Sequence, residues 1–220
     1  QSLGWRIALL VPGFMMIAVA FLYWKFTQDS PQGNFKELRA QGIDTESGKK
    51  GGWAVMAQAS RNYRVWILAG TYGACFGVEI FMHNILAMYY VEKFGFGLKE
   101  AGLTAGILGL LALFARSLGG ILSDKVAIRK GLDGRTRLLF IMILGEGLFL
   151  ILFSQMNVAH WAILSMFVFA LFINMACGAT YAMVPFIDRE ALGGVSGIIG
   201  AGGNAGAVIA GFLLKGMTDI

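Results

Sequence analysis

The chain has 220 residues, 57% of them hydrophobic and 14% charged, with a mean hydropathy of +0.67. Soluble domains carry about 25% charged residues, so this composition excludes an ordinary soluble protein and indicates an all-α, polytopic membrane protein seated in a lipid bilayer. The net charge of +5 does not indicate nucleic acid, because the basic residues sit in short loops between apolar runs instead of clustering on one face.

A helix needs about 20 apolar residues to cross a bilayer. Six runs approach or exceed that length: Gly4 to Trp24, Val65 to Val91, Ala101 to Leu122, Leu138 to Met156, Trp161 to Val184 and Gly193 to Leu214. They predict six transmembrane helices. Of the eighteen Lys and Arg residues, thirteen fall in the loops after the first, third and fifth runs, four on the opposite side, and Arg116 inside the third run. The positive-inside rule puts the thirteen in the cytoplasm, with Gln1 and Ile220 facing outward. The first run lacks the small-residue cleavage pattern of a secretory signal. Together with Gln1 in place of Met, it predicts a piece of a longer protein.

Residues 27–62 form the one long connection. Pro31, Gly33, Gly42, Gly48, Gly51 and Gly52 with scattered charge predict a flexible linker between two halves. Trp53 to Met56, with Tyr63 and Trp66, predicts either an aromatic anchor on the membrane surface or a solvated loop. On the second run Tyr72, Phe76, Glu79 and His83 recur at offsets of four, seven and eleven, which places all of them on one helix face. Glu79 and His83 at membrane depth predict a water-lined cavity or a proton relay, where an aromatic stripe alone would indicate packing.

In the third run, the Arg116 guanidinium would cost at least about 2.5 to 3.5 kcal/mol in hydrocarbon without compensation. Three compensations are open. The side chain could snorkel over the roughly 10 Å toward Asp124, it could pair structurally with Glu79 or Glu146, or it could hold an anionic substrate. The last makes the chain a transporter and is the favoured reading. Cys75 and Cys177 lie within apolar runs without metal-ligand spacing and are read as packing residues; no metal and no cofactor is expected. No Asp lies deep in a run, His83 and His160 form no HExxH pair, and no serine occupies a GxSxG elbow, so the sequence carries no enzyme signature. A non-transporting structural or receptor subunit remains an alternative.

The sixth run is glycine at seven of the fourteen positions from Gly193 to Gly206. Small residues let membrane helices approach closely, and both Gly193 with Gly197 and Gly202 with Gly206 have GxxxG spacing. Asn204 adds an amide able to donate to an anion, and Gly200 and Gly203 leave backbone accessible beside it. Tight packing alone is the competing explanation.

The junction Gly120-Ile121-Leu122-Ser123-Asp124-Lys125, with Arg129 and Lys130 beyond it, resembles the cytoplasmic loop motif of the major facilitator superfamily. It departs from that motif at Ala127 and Ile128. The stretches Phe114 to Gly120 and Gly197 to Gly206 resemble the nitrate/nitrite porter family, the second being similar to its glycine-rich signature. Tyr72 to Glu79 resembles the start of the seventh helix of that family, especially in eukaryotic high-affinity nitrate transporters. The resemblance covers essentially the whole chain and implies helices six to eleven of twelve. Residues 1–26 would be the last helix of the N-terminal half, 27–64 the central cytoplasmic linker, and 65–220 five of the six helices of the C-terminal half.

The resemblance further implies a secondary active transporter in the plasma membrane, carrying nitrate or nitrite by alternating access. Arg116, Tyr72 and Phe76 would line its substrate site, and a second substrate arginine would lie on the second helix of the longer protein. Asp124, with Lys125 and Arg129, would carry the gating interaction. Uptake of an anion opposes about 2.3 kcal/mol per charge per 100 mV. One proton only neutralises the anion, so voltage-driven uptake needs two or more. Proton symport, with Glu79 and His83 as coupling residues, is the expectation; nitrate/nitrite exchange and a different solute are the alternatives. Some eukaryotic relatives work with a small single-span partner protein.

Overall fold

The computed structural model describes residues 4–42 and 52–218. The chain divides into two compact units, residues 1–49 and 50–220, so Gln1, Ile220, Gly48, Lys49, Lys50 and Gly51 of the topology and linker expectations lie outside the described residues. In the first unit, α1 (Gly4–Phe26) matches the first apolar run. It is apolar on all sides, as a helix facing lipid is. Pro12 sits within it, which membrane helices tolerate. A short helix, α2 (Phe35–Ala40), comes after a turn closed by Ser30 and Gly33; the Asp29 carboxylate accepts from the Phe35 N–H at 3.0 Å and holds its start.

The second unit begins with α3 (Gly52–Ser60) and α4 (Tyr63–Tyr72). A π-helical turn (Gly73–Gly77) leads into α5 (Val78–Phe94). Then come α6 (Leu98–Ser154), α7 (Ala159–Tyr181), a 3₁₀ turn (Val184–Phe186) and α8 (Leu192–Thr218). Among the described residues five helical segments are long and apolar enough to cross a membrane, where the sequence predicts six.

The difference lies in α6. Its 57 residues would measure about 85 Å if straight, nearly three times the roughly 30 Å hydrocarbon thickness. Gly131 breaks it, with φ 58° and ψ −147°, a region open to glycine and strained for other residues. The predicted third and fourth spans are therefore the two limbs of α6, two helices that meet end to end at Gly131. Beyond the bend, Arg135 returns to Ser123 and Asp124.

The end of the expected linker is ordered. Between Gly52 and Ser60 the chain has three Ala with Met56 and Gln58, good helix formers, and it forms α3, which packs on α8. Ala59 is fully buried, and a side chain at Gly194 would meet the Val55 carbonyl oxygen at 2.7 Å. Gln58 donates to Asp188 at 3.1 Å. Trp53 is exposed, while Trp66 donates its indole N–H to the Ser60 carbonyl at 2.8 Å.

Glycines set the closest helix contacts. Gly206 lies against the Gly73 backbone, and Gly77 against Gly206 and Ala207, so a Cβ at any of these positions would overlap main chain. Gly202 meets Ala69 in the same way. The Gly202/Gly206 pair thus behaves as the GxxxG spacing predicts. Gly193 and Gly197 do not: neither has a neighbour within 4 Å of a built Cβ. Gly206→Val is expected to wedge α8 from the π turn and destabilise the protein by about 1 to 3 kcal/mol. Gly197→Ala should leave the thermal midpoint of the detergent-purified protein unchanged.

Candidate functional site: the Arg116 cluster

Arg116 is carried by the first limb of α6 and is brought against α7 by two glycines. A side chain at Gly178 would collide with the Arg116 carbonyl, and one at Gly119 with the Met175 backbone. This close approach lets α7 reach the guanidinium. Asn174, fully buried, accepts from Arg116 Nε at 3.3 Å and donates its own amide to Ala170 O at 2.9 Å.

The other face is built by the π turn and α5. Arg116 Nη2 donates to Glu79 Oε2 at 2.6 Å, and the guanidinium carbon lies 5.1 Å from the centre of the Phe76 ring, within cation–π range. Tyr72 stacks on Phe76 with centroids 4.9 Å apart, and Tyr181 meets Tyr72 edge-on at 5.0 Å. The Cys177 thiol donates toward Glu79 Oε2 at 3.6 Å. The extra residue of a π turn rotates the helix beyond it, a local irregularity frequent at functional sites. It lets Tyr72, Phe76 and Glu79 converge on one arginine from a helix that continues on both sides.

Beside these groups lies a cavity of about 440 Å³ lined by Tyr72, Arg116, Ser117, Cys177, Gly178 and Tyr181. A water molecule occupies about 30 Å³ in the liquid, so the cavity can hold a small hydrated ion. Glu79 is almost fully enclosed, with 4% of its side chain exposed, whereas Arg116 keeps 36%. Glu79 and Asn174 engage two of the five guanidinium N–H groups, leaving three without a protein partner among the described residues.

The expected site residues are thus partly brought together. Arg116, Tyr72, Phe76 and Glu79 form one cluster. Arg116 neither snorkels nor pairs with Glu146; its counterion here is Glu79, where the favoured reading of the sequence put a substrate anion in place of a neighbouring acid. Gly203 backs the aromatic wall, since a Cβ there would meet Phe76 at 2.6 Å and Tyr72 at 2.7 Å, and Gly200 faces the Tyr181 hydroxyl. Asn204, one residue round α8 from Gly203, is exposed and returns its amide to Gly200 O at 3.2 Å, so it does not join the cluster. His83 is exposed, with Nδ1 2.9 Å from the Glu79 carbonyl oxygen and Nε2 facing Gly109; it is not among the cavity-lining residues.

At the bend of α6, Asp124 of the expected gating group pairs with Arg135 at 2.7 Å, and Lys125 and Arg129 flank it. Both of those are exposed. Arg135 is buried, also donates to Ser123 Oγ at 3.1 Å, and lies 4.8 Å over the Phe186 ring. Sequence reasoning counted Arg135 only among the cytoplasmic charges. It also missed Asn174 and Tyr181. An amide inside a hydrocarbon-length run was the available signal for Asn174, because buried polar groups in membranes need partners.

The chain matches the Major Facilitator Superfamily over residues 1–211. It is 40% identical over 206 residues to high affinity nitrate transporter 2.5 of Arabidopsis thaliana, covering 94% of this chain and 40% of that protein. It is 41% identical over 208 residues to nitrate transporter 2.1 of Chlamydomonas reinhardtii, covering 94% of this chain and 38% of the relative. The nitrate/nitrite transporter NrtP of Nostoc punctiforme is more distant, at 25% identity over 94% of this chain and 54% of its own length. No solved structure matches the chain. The chain spans about two-fifths of the length of the first two relatives. An integral membrane protein of helices folded around an intramembrane arginine, it belongs to the major facilitator superfamily and resembles nitrate and nitrite transporters within it.

Proposed function

We propose that this chain supplies the arginine side of the substrate site in a nitrate or nitrite carrier of the plasma membrane, working by proton symport and alternating access. In this reading residues 65–220 belong to the C-terminal half of a longer transporter, residues 1–26 to the last helix of its N-terminal half, and 27–64 to the connection between them. The halves rock about a midplane site. The relatives' names support the substrate. The observation that carries the reading is Arg116, held from behind by Glu79 and Asn174, with three N–H groups left for a ligand beside a cavity.

A planar guanidinium can donate two parallel hydrogen bonds to a flat, singly charged anion. Phe76 and Tyr72 provide an aromatic wall against which the flat face of such an ion can lie. Glu79 then has a defined part. While nitrate is absent it neutralises Arg116; when nitrate takes the guanidinium, a proton on Glu79 keeps a bare carboxylate from facing the anion. Nitrate binding and proton uptake are thereby linked through one ion pair. The remaining symport proton, the accessory single-span partner and the second substrate arginine belong to this proposal and to the longer protein.

The test is uptake of labelled nitrate by the full-length protein in oocytes, with currents recorded. Acidic nitrate should evoke net inward positive current in the wild type. In Glu79→Gln the half-saturating nitrate concentration should lose its dependence on external pH, because the competing charge and its proton are gone. Unchanged proton coupling in a folded Glu79→Gln protein would remove Glu79 from the mechanism.

A further inference from the structure

A second carboxyl at membrane depth is left unused by this mechanism. Glu146, on the second limb of α6, is 5% exposed, and its Oε2 has no hydrogen-bond partner among the described residues. Its neighbours along α6 pack against apolar side chains. Next to it, Gly145 is pressed against the Phe172 ring, which stacks on Phe149 at 5.6 Å, and Met142, one turn earlier, is buried. Arg116 precedes the Gly131 bend by fifteen residues and Glu146 lies fifteen beyond it. Each is about 22 Å along its limb at 1.5 Å per residue, so the two lie at similar depth.

The titratable groups facing Glu146 are few. From the π turn Cys75, and from α5 Glu79, lie within electrostatic reach. From α7, Cys177 joins this group through its contact with Glu79. His83 also lies on α5 but turns toward Gly109. No cation pairs with Glu146 among the described residues, because Arg116 is taken by Glu79. An ionised carboxylate with no partner in such a place bears the full cost of desolvation, and a carboxylic acid avoids it.

We propose that Glu146 is a second proton-carrying carboxyl of the transport cycle, loaded in the state seen here while Glu79 is ionised and bound to Arg116. This rests on the symport reading and deepens it. Voltage-driven uptake of one anion needs two or more protons, and among the described residues there are two buried carboxyls, one paired and one lone. Glu79 takes its proton when nitrate binds. Glu146 carries its own and, when an acceptor opens to it, releases the proton from its O–H, returning to a carboxylate that is reprotonated before the next cycle. No other bond changes.

The test is charge movement per nitrate in oocytes expressing the full-length protein, read as the ratio of integrated current to labelled nitrate. In Glu146→Gln the ratio should fall from about one positive charge per nitrate to about zero. The half-saturating nitrate concentration and its pH dependence should stay as in the wild type, since Arg116 and Glu79 are intact. An unchanged ratio would overturn the inference and leave the Glu79 reading standing. A wild type with no inward current would mean at most one proton per nitrate and would overturn this inference; if acidification still stimulates its uptake, the Glu79 reading stands, and if it does not, symport falls as well. Should Glu146→Gln not reach the membrane, infrared spectra of the purified wild type and Glu146→Asp decide. A protonated carboxyl carbonyl band that shifts in Glu146→Asp supports the inference, and a spectrum without such a shift contradicts it.

Discussion

If the proposed function holds, Arg116→Lys in the full-length protein is expected to lower nitrate uptake at subsaturating concentration by roughly tenfold to a hundredfold. The charge is retained, so Lys can still face Glu79, but the planar pair of donors is lost. A hydrogen bond to a charged group contributes about 1.5 to 3 kcal/mol, and each 1.4 kcal/mol is a factor of about ten. The ammonium would also forfeit the flat contact with Phe76, now 5.1 Å from the guanidinium carbon. Labelled nitrate uptake by wild type and variant at equal surface expression measures this. Equal uptake would mean that Arg116 acts only as a point charge or does not touch the substrate.

Exchanging the two charges, Arg116→Glu with Glu79→Arg, separates a substrate site from a structural ion pair. Removing one partner of a buried pair costs up to about 3 to 5 kcal/mol, less here because Arg116 is 36% exposed and solvent screens it. Each single substitution should therefore lower the thermal midpoint of the purified protein, and the double exchange should recover much of it. Transport should not return. The guanidinium would then start from the almost enclosed position of Glu79 on α5, while a carboxylate occupied the cavity wall and repelled the anion. Recovery of nitrate uptake in the exchanged protein would identify the pair as scaffolding and place the anion-binding group elsewhere.

Much of this arrangement was legible in the residues alone. The six apolar runs locate every long helix, because the cost of exposing backbone polar groups in lipid leaves the chain little choice. What they could not reveal was how short the junction between the third and fourth is: helix runs through the charged stretch on both sides and breaks only at Gly131. The face shared by Tyr72, Phe76 and Glu79 is a consequence of helical spacing. His83, one turn further along α5, lies beyond the reach of Arg116: its ring sits against the Glu79 carbonyl and Gly109. Asn204 was overvalued for a simpler reason: polarity in a glycine-rich run says nothing about which way the side chain turns, and its amide finds its own helix. Arg135 was undervalued because a charge in a cytoplasmic turn looks solvated until the fold presses it onto Phe186 and Asp124. Pairing between Arg116 and Glu79 was one of the options the sequence left open, and only the packing of α5 against α6 could select it.

The central claim is that nitrate replaces Glu79 as the partner of Arg116 and that Glu79 is protonated as it leaves. Calorimetric titration of the purified full-length protein with nitrate, at one pH in two buffers of different ionisation heat, measures this directly. The account predicts uptake of about one proton per nitrate bound, the number that neutralises the displaced carboxylate. Nitrate binding with the same heat in both buffers, and hence no proton taken up, would contradict it.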